Sequence, residues 1–482
     1  MLGRQAPLAL LVLLLASGVA AAARPGPVIT LAPPAGLPAP TTVSEPHLAR
    51  DPANPSILVV TAQTTALAVW LSTDGGKHWH ASLPPAGKDG TPSSAGGDPV
   101  VAVGADGATL LAGVAIDPAG RCTLLDRVGS YRRSADAAFA SLVPVSTPSP
   151  LPRHFFGRPP VASCPIPKGL TEVTTNDKPW LAVDTTRGPR RGWVYFVWSR
   201  YDQALSGRTY STLLLAVSHD GGRTYAPARA IAPCREQPAA LEQYSQVAVR
   251  PDGTLDLVWN EFRNGRSSIL HRASRNGGAT FGPTETVMTL ARGTTPVGLV
   301  SSLAVSPGGR LAVCWSGSVA KKLYVPRVAC SLSDGGGSWS PPAAPFGSGG
   351  VQYLPAAAFE DERLWVAGYR STGEASRVLL ASSGDGATFD APIVLAQRSL
   401  GRGAICAHAP AGLRRAPAVR RRLHRRRGGS RTRLGRLRPP RRRPHLTEPR
   451  LHRYGRDRLS LRTRRARIRA AARGRRRCRS AP

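Results

Sequence analysis

Apolar residues along this chain come in short runs with the two-residue alternation of strands, not the 3.6-residue period of helices. Runs such as ILVVT, TLLAGVA, WVYFVW, LDLVW, LAVCW and LWVAGY are bounded by Pro, Gly and Asp, which read as turns. Each follows a segment centred on an alanine, usually with Val after it: SEPHLAR, GDPVVAV, DKPWLAV, QYSQVAV, LVSSLAV and YLPAAAF. The anchors are Ala49, Ala102, Ala182, Ala248, Ala304 and Ala358. Three positions before them stand Pro46, Pro99, Pro179, Ser245, Ser301 and Pro355.

A second series runs in phase with the first. It is a turn of the form S-x-D-x-G-x-[ST]-[WYF], found as STDGGKHW from Ser72, SHDGGRTY from Ser218 and SRNGGATF from Ser274. Looser copies are LSDGGGSW from Leu332 and SSGDGATF from Ser382, with a degenerate SADAAF from Ser134. Two series in one phase define units of about 50–60 residues, each with four short antiparallel strands. One such sheet cannot bury both faces alone. Radial packing of the units does so, which predicts an all-β, six-bladed β-propeller over residues 42–396. The run PVITL at Pro27–Leu31, within a 24–41 linker, is expected to close the last blade and leave no open edge.

The turn glycines permit positive φ in a tight hairpin, and the Ser and Asp side chains hydrogen-bond across it. Asp74 and Asp220 are therefore expected to build the fold and not to catalyse. The motif is similar to the Asp-box (bacterial neuraminidase repeat) of the sialidase superfamily, whose members are six-bladed propellers. That superfamily also includes non-enzymatic members, so the resemblance speaks for fold more than for activity.

Antiparallel pairing sends the starts of first strands and the ends of second strands to one face, and the Asp-box turns to the other. The first face gathers Glu45, Asp98, Asp177, Lys178, Gln243, Tyr244 and Tyr353 from strand starts. Strand ends add Arg200, Tyr201, Asp202, Glu261, Arg263, Tyr369 and Arg370. Arg200, Arg263 and Arg370 belong to three different units, and guanidinium forks bind carboxylates bidentately. The resemblance implies an arginine trio for a sialic-acid-like carboxylate, a Tyr–Glu nucleophile pair and an Asp acid/base. Arg200, Arg263 and Arg370 take the first role, Tyr244 with Glu261 the second and Asp98 the third, with Tyr369 an alternative to Tyr244. The chain departs from the family in lacking an R-I-P signature before the first unit, where it reads PVITLAPPAGLPAP, so Arg200 is only a positional stand-in. Two functional expectations stand side by side: a glycan-binding or scaffold propeller without a catalytic set, and an exo-α-sialidase or related glycoside hydrolase.

Other chemistry finds no motif. There is no G-x-S-x-G elbow, H-E-x-x-H, P-loop or calcium loop, so no cofactor and no metal is expected. The expected partner is an extracellular glycan, with no specific nucleic acid and no membrane span; oligomeric state is left open.

Composition changes the picture at the two ends. Residues 1–23 join Arg4, the apolar Ala6–Leu15 and a small-residue exit at Ala21-Ala22-Ala23, which reads as a signal peptide and an extracellular destination. An oxidising compartment allows disulfides. Cys314 and Cys330 fall on successive strands, as a cross-strand bridge or as two buried thiols. The formal charge of +36 rests mostly on a tail. Residues 401–482 hold 30 Arg, no Lys and only Glu448 and Asp457 as acids, leaving the first 400 residues mildly basic. A tail of this composition, read as 397–482, is expected to be disordered. Its Arg, Ala, Pro and Gly are what an out-of-frame reading of a GC-rich gene produces, and an arginine arm for polyanions is the alternative.

Overall fold

The six apolar runs that follow the alanine anchors all form strands, and the strands pair with partners close by in sequence. The computed structural model describes residues 24–37, 43–64, 66–85, 97–118, 123–134, 138–152, 172–204, 208–232, 235–237, 240–290, 301–317, 326–335, 337–372 and 375–399. The expected signal peptide, the Arg-rich tail, Cys122, Cys164, Cys234 and most of the Thr147–Lys168 insertion lie outside these residues.

Six antiparallel sheets follow one another along the chain. Sheet 1 holds β1 (Ser44–Arg50), β2 (Leu58–Gln63), β3 (Leu67–Ser72) and β4 (His80–Ser82). Sheet 2 holds β5 (Gly97–Val103), β6 (Thr109–Pro118), β7 (Thr123–Arg133) and β8 (Val143–Pro144), with β9 (Ser149–Pro152) also on β7. Sheet 3 holds β10 (Glu172–Val183), β11 (Val194–Ala204), β12 (Thr209–Ser218) and β13 (Arg229–Ala230), with β14 (Arg235–Gln237) also on β12. Sheet 4 holds β15 (Ala240–Val249), β16 (Leu255–Arg263), β17 (Arg266–Ser274) and β18 (Glu285–Thr289). Sheet 5 holds β19 (Ser302–Val305), β20 (Leu311–Gly317) and β21 (Arg327–Ser333). Sheet 6 holds β22 (Val351–Glu360), β23 (Arg363–Ser371), β24 (Ala375–Ser383) and β25 (Ile393–Ser399). The first strands β1, β5, β10, β15, β19 and β22 pack on one another in that order. The described residues thus form six blades of a β-propeller. Among the described residues no helix is long and apolar enough to cross a membrane.

The burial of β11 shows why the sheets stack. Val194, Phe196 and Trp198 join a cluster with Val100, Leu110 and Ala112 of sheet 2. The alternate residues Tyr195 and Val197 join Val247, Leu257 and Trp259 of sheet 4. One strand thus serves two cores, and all five side chains are fully buried. The first strands add polar stitches at one repeated position. Val101 N donates to His47 Nδ1 (3.3 Å), Leu303 N to Gln246 Oε1 (2.8 Å) and Ala357 N to Ser302 Oγ (3.0 Å). Burial lowers His47 to about 4, so its ring is neutral and can accept.

The turns carry the hydrogen bonds expected of them. Ser72 Oγ donates to Asp74 Oδ1 (2.8 Å) and accepts from Gly76 N (2.8 Å), while Lys77 N and His78 N donate to Asp74 Oδ1. These donors, with the His78 ring, hold Asp74 well below the usual carboxylate range. The pattern recurs around Ser218 and Asp220, and around Ser274 and Asn276. In sheet 6 the serine that plays this part is Ser383, one residue after the start read from sequence.

Three details differ from expectation or decide it. Among the described residues sheet 5 has three strands, not four; Pro341 and Pro342 lack the N–H a ladder needs, and Ala343 makes an isolated bridge to Cys330. Cys314 and Cys330 face each other across β20 and β21 and form a disulfide. Pro27–Leu31 forms no strand, and sheet 6 closes with its own β25.

Sheets 4 and 5 also share a buried ionic network. Arg250 binds Asp256 through Nε and Nη2, both at 2.6 Å, and His271 Nε2 lies 2.8 Å from Asp256 Oδ1. His271 Nδ1 lies 2.9 Å from Glu285 Oε2, and Trp339 of the sheet 5 turn packs edge-on against the His271 ring. Asp256→Ala leaves Arg250 and His271 buried without their shared acceptor. A loss of about 3–5 kcal/mol is expected in chemical denaturation; a loss below about 1 kcal/mol would show that the network is dispensable.

Candidate functional site

Five of the six first strands carry the same irregularity. The ladder slips between Ser44 and His47, Gly97 and Val100, Asp177 and Trp180, Gln243 and Gln246, and Tyr353 and Ala356. Inside each slip one non-glycine residue has positive φ: Glu45 (52°), Asp98 (52°), Lys178 (49°), Tyr244 (57°) and Leu354 (52°). These are β-bulges, which re-aim a side chain out of the sheet's alternation. Proline follows in four of them, and it has no N–H for the broken ladder to leave unpaired. A left-handed non-glycine residue costs about 1–3 kcal/mol, so five repeats of it mark a face under functional constraint.

Three of the bulges meet. Lys178 Nζ donates to Glu45 Oε1 at 3.1 Å and to Asp98 Oδ1. The backbone joins in: Asp98 N donates to Glu45 Oε2 (3.1 Å) and Lys178 N to Asp98 Oδ2 (3.2 Å). Gln243 Nε2 donates to Asp177 Oδ2 (2.8 Å), and Lys178 Nζ lies 6.0 Å from the centre of the Tyr244 ring. Residues far apart in sequence, from sheets 1, 2, 3 and 4, therefore share one centre.

Electrostatics separates the carboxyls. Burial, together with the charge of Asp98, raises Asp177 to about 6. Burial also raises Glu45, again helped by Asp98. Asp98 itself is pushed up by burial, but the Lys178 ammonium and hydrogen bonds from its neighbours outweigh that and hold it below the ordinary value. Lys178 is held protonated: burial opposes its charge, and Asp98 and Glu45 outweigh burial. Burial raises Tyr201 and Tyr244, so both phenols stay neutral. Three acidic groups thus face one ammonium, and Asp98 among them is held ionised. Such a centre accepts hydrogen bonds from hydroxyls and repels an anionic ligand.

The residues given roles from sequence are distributed as follows. Asp98 lies at the heart of the cluster. Tyr244 and Glu261 line one shallow concavity with Leu241, Gln243, Asn260, Phe262 and Ser267. Arg200 is held by Asp202 in its own strand, Nη2 to Oδ2 at 3.1 Å. Arg263 ends β16 opposite Arg266 and is exposed. Arg370 sits on β23, and its Nη1 donates to the Phe346 carbonyl (3.4 Å). Lys178, the residue that organises the site, was not given a role from sequence, and Asp177 and Glu45 were only placed on the face. The signal for Glu45 and Lys178 was a charged residue immediately before the anchor's proline, with Asp177 one position earlier; Leu354 before Pro355 does not carry it.

No protein-family profile matches the chain, and no curated protein matches it. Among solved structures, it is similar to a protein of unknown function from Dyadobacter fermentans, at 14% identity over 69% of this chain and 91% of that one (TM-score 0.43). It is similar to an α-L-arabinanase of Penicillium chrysogenum complexed with arabinobiose, at 15% identity over 73% and 95% (TM-score 0.45). A PL25 ulvan lyase matches at 12% identity over 73% and 85% (TM-score 0.46).

Asp177 gives the site a pH signature. Its folded value of about 6 lies above the ordinary 3.8, so its contribution to stability is fully present below about 4 and is lost as pH rises through about 6. The ceiling is about 3 kcal/mol, reduced by solvent screening. Denaturation midpoints of the native chain are expected to fall relative to Asp177→Asn between pH 4 and 6.5. Parallel curves would remove the raised value.

Proposed function

We propose that the chain is an exported, sialidase-like Asp-box propeller that binds glycans rich in uncharged hydroxyls on the face where the first strands begin. The observation that carries this reading is the gathering of Glu45, Asp98 and Asp177 around Lys178, beside Tyr244. Carboxylates accept hydrogen bonds from sugar hydroxyls, an ammonium donates to ring and hydroxyl oxygens, and an aromatic face packs on the C–H face of a sugar ring. The Ser–Asp turns of sheets 1 and 3, the Ser–Asn turn of sheet 4 and the variant in sheet 6 support the Asp-box assignment.

Binding is preferred to hydrolysis because of spacing and charge. Asp98 and Glu45 both accept from the one Lys178 ammonium. Two-carboxylate glycosidases hold their pair about 5–5.5 Å or about 6.5–9.5 Å apart, with the sugar between them. Between Glu45 and Asp98 stands the Lys178 ammonium, where that scheme needs the sugar. The surplus of carboxylates also disfavours a sialic-acid carboxylate, and Arg200 is already engaged by Asp202.

The second reading, a sialidase-type hydrolase, draws on Tyr244 and Glu261 sharing one concavity. A glycan array carrying neutral and sialylated oligosaccharides, followed by calorimetry, separates the two. Neutral glycans are expected to bind, with affinity at least tenfold weaker in Asp98→Asn and in Tyr244→Ala. Turnover of a fluorogenic sialoside, abolished by Tyr244→Phe, would overturn this reading in favour of the hydrolase.

A further inference from the structure

Sheets 6 and 1 each present an apolar face that the other four do not. In sheet 3 the face toward the next sheet is made by Tyr195, Val197, Leu213 and Leu215, at most 1% exposed. Register places Trp365, Ala367, Val378 and Leu380 at the same positions in sheet 6, and all four are only half-buried. Tyr369 beside them is 36% exposed. On the far side, Leu48 of β1 occupies the position that Val247 holds in sheet 4; Val247 is 3% exposed and Leu48 60%.

The segment Pro27–Ala32 shows what belongs there. In sheet 4, Arg272 of β17 donates to the carbonyl of Ile231, the residue just after the outer strand of sheet 3 (2.9 Å). Two residues before its turn serine, as Arg272 is before Ser274, sheet 1 has Trp70 before Ser72. Trp70 Nε1 donates to the Ala32 carbonyl at 2.6 Å, and Leu31 packs against Trp70, Ala62 and Ala68. Ala32 therefore stands to sheet 1 as Ile231 stands to sheet 4. It lies where the outer strand of a preceding sheet would end. That sheet is not sheet 6, whose outer position is filled by β25. Val28 and Ile29, 72% and 51% exposed, have no inner strand beside them among the described residues.

We infer that a seventh sheet completes the ring between sheets 6 and 1, with Pro27–Leu31 as its outer strand. Its three inner strands come from the chain that follows Ser399. The 83 positions after Ser399 exceed the span of one unit, and the chain leaves sheet 6 from β25. As written, residues 401–482 carry 30 Arg and two acids, which apolar faces cannot bury. The inner strands are therefore encoded by the same stretch of gene in a different frame.

The test is to resequence the gene across this stretch from independent DNA and to fragment the purified protein by tandem mass spectrometry. The expected result is a frame, matched by peptides, with an alanine-anchored strand about one unit after Ala358. In that protein Trp365→Asp is expected to lower Tm by several degrees, and an unchanged Tm would overturn the inference. Peptides matching residues 401–482 as written would overturn it outright. Sedimentation of that chain would then show whether a second copy covers the face (a dimer) or nothing does (a monomer).

Discussion

A four-stranded sheet with apolar side chains on both faces has no stable existence in water unless something covers each face. This chain solves the problem by repetition. Every sheet between the first and the sixth is the lid of one neighbour and the floor of the other, as the split allegiance of β11 shows. Burial of apolar area at roughly 25 cal/mol per Å² supplies the drive, and the circular order supplies the geometry. The polar stitches at His47, Gln246 and Ser302 then fix the registration of one first strand on the next.

The same order creates the site. Because first strands crowd the axis, any residue turned out of their alternation points toward its counterparts in neighbouring sheets. The bulges do the turning, and the prolines make the broken ladder tolerable. Lys178 can then reach Glu45, 133 positions away in sequence, and Asp98, 80 positions away. A charged centre built in this way depends on the ring, since no single sheet contains it.

The repeat was legible because its markers are obligatory. An alanine fits where first strands crowd together, glycines fit the positive φ of the turns at Gly76 and Gly222, and Ser72 and Asp74 satisfy the turn's own N–H groups. What escaped sequence reading depends on relations between sheets. Nothing local says that His271 meets Asp256 and Glu285, or that Lys178 and not an arginine organises the axial face. Four of the bulges were half-visible, as a charged or aromatic residue before Pro or Ser; the one at Leu354 had no such mark. Their left-handed backbone was not, since such φ values are rare outside glycine. The three arginines chosen from strand ends rested on face alone, and a face does not say which neighbour a long side chain will find. Arg200 finds Asp202.

The most direct test of convergence at the axis is a double-mutant cycle between Asp98 and Lys178, read by chemical denaturation of Asp98→Asn, Lys178→Met and the pair. The two residues belong to different sheets and meet only if successive first strands share one centre. A coupling energy of about 1–3 kcal/mol is the expected result. Strictly additive effects would contradict it, and with it the placement of the site.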